Sequence, residues 1–150
     1  MNTLTQPVIL KVSRHIKASR ERVFAAWTTP ADIMKWLGGP GCNVTSAKMD
    51  LRVGGHYTFL VNKSCDGNES CGGMTGQYRE INPPSRLVFT WSPIKAANEE
   101  GFDTQVTVDL TEEKGGTLVT ITHEGFPNTE VCELHNIGWT ASLEKLEKLV

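Results

Sequence analysis

Hydrophobic and polar positions change rhythm twice along the chain, and the two changes divide it into three parts. Residues 8–17 alternate, with Val8, Leu10, Val12 and then Ile16 reading as a first strand that is broken in phase near its middle. From Ser19, an N-cap by residue type, the spacing turns helical, and 20–28 carries Val23, Phe24 and Trp27 on one face. Pro30 opens a second short helix over 31–37, which Gly38-Gly-Pro-Gly41 ends. Alternation then returns at 43–51 and 55–62 and runs on through 74–81, 86–92, 104–111 and 117–124 with no helix between. The last part, about 128–149, is helical again, with Val131, Cys132, Trp139, Leu143 and Leu146 on one side. Consecutive alternating strands joined by short turns predict one antiparallel sheet with one wet face. The other face needs a cover, and the helix pair and above all the terminal helix are the elements apolar enough to supply it. The fold class is α+β.

Two residues interrupt the apolar stripe of the terminal helix. At about 100° per residue, His135 and Ser142 project into the arc between Val131 and Trp139, beside the small Gly138. Each needs a hydrogen-bond partner once buried. Read from the sequence alone, the simplest resolution is a cavity there, filled by water or ligand. Gly138 inside a helix costs roughly 1 kcal/mol against alanine, which points to close approach of a strand or a ligand.

Composition narrows the function. At 150 residues the chain reads as one domain, 1–150, with 1–6 expected to be flexible and 93–102 expected to form a mobile loop. Fifteen basic against 17 acidic residues leave a net charge of −2, too neutral for a nucleic-acid binder. No window approaches the roughly 18 consecutive apolar residues of a membrane span. The start of the chain lacks a secretion signal, so the expected location is the cytoplasm. Cys42, Cys65, Cys71 and Cys132 are then expected to be reduced thiols, with Cys65 and Cys71, flanking what reads as a hairpin tip, the pair to watch. Metal and cofactor motifs are missing: no His-x-x-x-His or Cys-x-x-Cys spacing, no phosphate loop in Gly38-Gly-Pro-Gly41, and no Gly-x-Ser-x-Gly.

Four spaced segments carry a family resemblance over nearly the whole chain. They are Ile16-Lys-Ala-Ser-Arg-Glu-Arg-Val-Phe-Ala-Ala-Trp-Thr-Thr-Pro30, Asp50-Leu-Arg-Val-Gly-Gly-His-Tyr57, Gly76-Gln-Tyr-Arg-Glu-Ile-Asn-Pro-Pro-Ser-Arg-Leu-Val-Phe-Thr-Trp91, and Thr122-His-Glu-Gly-Phe126 with His135-Asn-Ile-Gly-Trp139. In this order they resemble the START-like (SRPBCC) superfamily, in the branch of heat-shock-protein ATPase activator homologues. The resemblance implies a helix-grip, pollen-allergen-like architecture. In it a curved antiparallel sheet of about six or seven strands wraps a long C-terminal helix around a cavity, with two short helices after the first strand.

In that frame the cavity wall is expected to comprise His135, Trp139 and Ser142 on the helix. Tyr57, Phe59, Tyr78, Phe89, Trp91 and His123 face them from the sheet. This is an aromatic box with few polar points, the usual make-up of a small-molecule pocket. Three functions follow as expectations. The leading one is binding of a small, largely apolar molecule. The second is a cyclase- or aromatase-like enzyme with His123 or His135 as general acid or base, although no activated nucleophile accompanies them. The third is co-regulation of a chaperone ATPase, an expectation by analogy with the branch name. The sequence leaves the assembly state open, a homodimer included.

Overall fold

A computed structural model of the chain describes residues 8–62, 72–94 and 103–150. Its elements, in chain order, are β1 (Ile9–Ile16), α1 (Arg20–Thr28), α2 (Pro30–Trp36), β2 (Val44–Met49), β3 (His56–Val61), β4 (Gly73–Asn82), β5 (Arg86–Pro93), β6 (Thr104–Glu113), β7 (Gly116–Glu124) and α3 (Thr129–Leu149). The seven strands form one antiparallel sheet ordered β1-β7-β6-β5-β4-β3-β2, a meander whose far edge is completed by the first strand. The regions expected to be flexible or mobile, 1–6 and most of 93–102, lie outside the described residues.

Alternation places the core. Tyr57 and Phe59, Leu87, Phe89 and Trp91, Val106 and Val108, and Val119 and Ile121 are buried from successive strands. They face Trp139, Leu143 and Leu146 of α3, the apolar stripe read from the sequence. The helices begin where residue type directs: the Ser19 Oγ accepts from the Arg22 N–H at 3.2 Å and the Asn128 Oδ1 from the Val131 N–H at 2.9 Å. Register shifts between Val44 and Ser46 and between Tyr78 and Glu80 mark where the ladder is interrupted, which lets a sheet curl.

Three expectations are corrected. β1 is not broken in phase: it pairs with β7 from Ile9↔Glu124 to Ile16↔Thr117 without interruption. Arg14 occupies the phase of Leu10 and Val12, and its guanidinium reaches Glu147 of α3 at 2.7 Å, so the polar residue ties strand to helix. The cysteines are not all thiols. Cys132 is free, but Cys42 is disulfide-bonded, to a partner outside the described residues. Cys42 precedes the β2–β3 pairing, where Asn43 and Asn62 exchange hydrogen bonds, and Cys65 and Cys71 lie outside the described residues. Gly138, finally, is not approached closely by a strand. A Cβ there meets nothing within 4 Å, whereas one on Gly39 lies 3.3 Å from the Gly138 Cα, so the close approach is made by the turn after α2.

Candidate functional site

Six of the nine residues assigned to the cavity wall share one hollow: Tyr57, Phe59, Tyr78, Phe89, Trp91 and Trp139. Four further residues complete it. Trp27 of α1, Ile33 of α2 and Leu37 just beyond it close the hollow from the helix pair, and Leu87 closes it from β5. The volume of the hollow is about 10 Å³, room for a single water molecule. All ten lining residues are apolar or aromatic, and seven are aromatic.

Tyr57 shows how the strands shape this space. It lies opposite Gly76 on β4, and a Cβ on Gly76 would stand 2.7 Å from the Tyr57 ring and 2.0 Å from the Thr90 carbonyl oxygen. With no side chain at Gly76, the Tyr57 ring reaches across β4 and its hydroxyl donates to the Thr90 carbonyl on β5 at 2.6 Å. The ring then meets Phe89 edge-on at 5.6 Å between centroids, a favoured geometry for aromatic pairs. Burial, and secondarily Tyr78, pushes the Tyr57 hydroxyl well above its ordinary pKa, and burial alone raises Tyr78. Both are neutral phenols throughout the physiological range.

The other three assigned residues, His123, His135 and Ser142, do not line the hollow. His123, wholly buried on β7, accepts the Trp139 indole N–H on Nδ1 at 3.0 Å. Its Nε2 stands 2.6 Å from the Thr104 hydroxyl, which itself donates to the Trp91 carbonyl at 2.6 Å. The hydroxyl proton is thereby committed, so Nε2 carries the imidazole proton and donates. Burial first, and the neighbouring His135 second, lower His123 to a pKa of about 2. In His135, one turn from Trp139 on α3, Nε2 accepts the Trp91 indole N–H at 3.2 Å and Nδ1 donates to the Val131 carbonyl at 2.9 Å. Ser142 accepts from the Gly38 N–H at 2.9 Å and donates to the Gly38 carbonyl at 3.0 Å, clasping the turn after α2. The polar interruptions of the stripe are thus resolved by protein partners, not by a cavity of their own. They could not be recognised from periodicity, because the partners of Ser142 lie 104 residues away in a turn.

Both nitrogens of each imidazole are engaged by protein partners. The Cys132 thiol is buried, and burial raises its pKa, so it is not an activated nucleophile. Among the described residues, no group of three or more His, Cys, Asp or Glu side chains could hold a metal ion. No helix of the described residues is long and apolar enough to cross a membrane.

One polar atom stands apart. Trp27 is 3% exposed, and among the described residues its Nε1 is the buried side-chain nitrogen or oxygen with no hydrogen-bond partner. By spacing Trp27 shares one face of α1 with Val23 and Phe24, and neither it nor Ile33, Leu37 or Leu87 is among the residues the sequence assigns to the site. The membership of Trp27, Ile33 and Leu37 follows from how the helix pair caps the sheet, and Leu87 shares the strand phase of Phe89 and Trp91 on β5. The available signal was that this pair had to cover the inner face.

A seven-stranded antiparallel sheet gripping a long C-terminal helix defines a START-like, helix-grip protein. Over residues 17–150 the chain matches the family described as activator of Hsp90 ATPase homolog 1-like protein, and it belongs to that family. Protein CV1439 of Chromobacterium violaceum is similar in structure, with a TM-score of 0.75 and 28% identity over 95% of this chain and 96% of that one. The AHSA1 protein of Silicibacter pomeroyi has a TM-score of 0.73 and 25% identity, covering 94% of this chain and 96% of its own. Mll3558 from Rhizobium loti, 23% identical, shares the fold with a TM-score of 0.77, covering 97% of this chain and 98% of its own. No curated protein matches the chain.

Proposed function

We propose that this protein binds a small, neutral, largely apolar molecule in the aromatic hollow between α1, α2, the sheet and α3. The observation that carries this reading is the composition of the wall, seven aromatic and three aliphatic residues around a space the side chains do not fill. Protein interiors are closely packed, so an unfilled space between aromatic side chains stands out even at the size of one water molecule. A space of this kind, bordered by both faces of the grip, is where an added apolar group gains most from leaving water.

The wall also selects by charge. None of its ten residues is cationic or anionic, so an ionised ligand would enter without a counter-charge, at a cost of several kcal/mol. Any guest larger than a water must widen the space. Ile33 and Leu37 sit on the seven-residue α2 and its C-terminal turn, the shortest of the covering helices, and their displacement is the route to that widening. The histidines enter this account as scaffold, because both nitrogens of each ring are already engaged.

Intrinsic fluorescence tests the reading, since Trp27, Trp91 and Trp139 all border the hollow. Titration with indane is expected to give a saturable change. No change with indane or naphthalene up to their solubility limits would contradict it.

A further inference from the structure

The chain has four tryptophans, and three of their indole N–H groups have a built-in acceptor. Trp36 donates to the Ala26 carbonyl at 2.9 Å, Trp91 to the His135 Nε2 at 3.2 Å and Trp139 to the His123 Nδ1 at 3.0 Å. Trp27 has none, although it is as buried as the others. Its ring neighbours are Trp36, Phe89 and Trp139, at centroid distances of 4.6, 6.4 and 5.7 Å, and none offers an oxygen. A buried N–H without an acceptor is unfavourable, and native proteins leave few of them. This one belongs to a residue in the wall of the hollow.

We propose that the Trp27 indole N–H is the polar anchor of the site, donating to a carbonyl-type oxygen on a neutral aromatic ligand. The inference rests on the binding function proposed above and adds the ligand's chemical class: a ketone, quinone, lactone or similar group on an apolar ring system. The chemistry follows from the donor. An indole N–H gives one hydrogen bond and accepts none, so it selects an acceptor. The uncharged wall excludes a carboxylate as the source of that acceptor, leaving a neutral oxygen. The Tyr57 hydroxyl is already committed to the Thr90 carbonyl as a donor, so it does not compete for the same oxygen in the resting state. A water molecule fits the present volume, and it is the competing acceptor that the test must separate from a ligand.

The test uses the full chain labelled with nitrogen-15 and two probes of one shape, indane and 1-indanone, which differ by the carbonyl. The four indole resonances are followed in each titration, with Trp27→Phe identifying the Trp27 signal by its loss. The expected result is that 1-indanone carries the Trp27 indole proton downfield of its position with indane, while the other three indole signals show no such difference. Trp27→Phe is expected to weaken 1-indanone binding about fivefold to tenfold relative to indane, the effect of one lost hydrogen bond. If indane binds the wild-type protein but 1-indanone gives no Trp27-specific downfield displacement, the donor is served by water and the anchor proposal is overturned while the binding function stands. If neither probe binds, the binding function itself fails. If Trp27→Phe does not fold, sequential resonance assignment of the wild-type protein identifies the Trp27 signal, and the wild-type spectra still decide the matter.

Discussion

Trp139 stands between two unlike neighbourhoods. Its indole N–H meets His123, and from there hydrogen bonds run through Thr104 to the Trp91 carbonyl, while Trp91 donates in turn to His135. Every polar atom in that chain has a partner. The Trp139 ring meanwhile borders the hollow, where seven aromatic and three aliphatic side chains leave space; one of them is Trp27, whose buried N–H has no partner. The polar neighbourhood looks like chemistry, and each of its ring nitrogens is paired within the protein. The apolar one looks like ordinary core and contains a space that its side chains do not fill. Residue type alone therefore misleads, and the useful question is which groups remain unsatisfied after the fold has formed.

Substitutions can separate the two neighbourhoods. The largest effect is expected for Phe89→Ala, which removes a buried ring from the wall and should lower stability by about 3–5 kcal/mol in urea unfolding. An apolar hole of this kind stays dry and accepts an apolar guest, so saturating indane should restore part of the loss. Ser142→Ala on the polar side should cost about 2–4 kcal/mol, because the Gly38 N–H and carbonyl both lose their partner in a buried setting. Indane should restore none of it, and rescue there would break the distinction.

Acid gives the next test. His123 is held at a pKa of about 2 in the fold, against about 6.5 in the unfolded chain. Between these values the unfolded state binds a proton that the native state does not, so stability falls as pH drops below about 6.5. Its loss relative to neutral pH reaches about 2–3 kcal/mol at about pH 4.5. Urea titrations across that range should show the slope of about one proton in the wild type, beyond that of His123→Gln. Equal slopes would mean that the imidazole is not held neutral.

The smallest effect is expected at the unpaired indole. Trp27→Phe removes a donor with no partner, whereas Trp36→Phe leaves the Ala26 carbonyl without the donor it now has. Thermal or urea unfolding should find Trp27→Phe milder by about 1 kcal/mol or more. The reverse order would show that Trp27 has an acceptor in solution.

How much of this was legible beforehand depends on the range of the interaction. The run of alternating strands, the two short helices and the long terminal helix follow from local periodicity, and the facing aromatics follow from strand phase. The inward position of His135 and Ser142 was legible for the same reason. What satisfies them was not, since Gly38, Trp91 and Val131 become partners through turn geometry and ring orientation. The phase of β1 was misread because Arg14 stands where an apolar residue was expected, and its partner Glu147 lies on the last turns of α3. Trp27 looks in sequence like any core residue of a short helix. Its missing acceptor becomes visible only when all four indoles can be compared in place.

Native mass spectrometry of the protein purified from its own cells tests most directly whether the aromatic hollow, and not the histidine cluster, holds a ligand. The expected result is a neutral molecule retained at one per chain, still retained in His135→Gln and lost in Leu87→Phe, where a larger side chain fills the remaining space. Ligand-free wild-type protein, or a molecule that survives Leu87→Phe but is lost in His135→Gln, would contradict it.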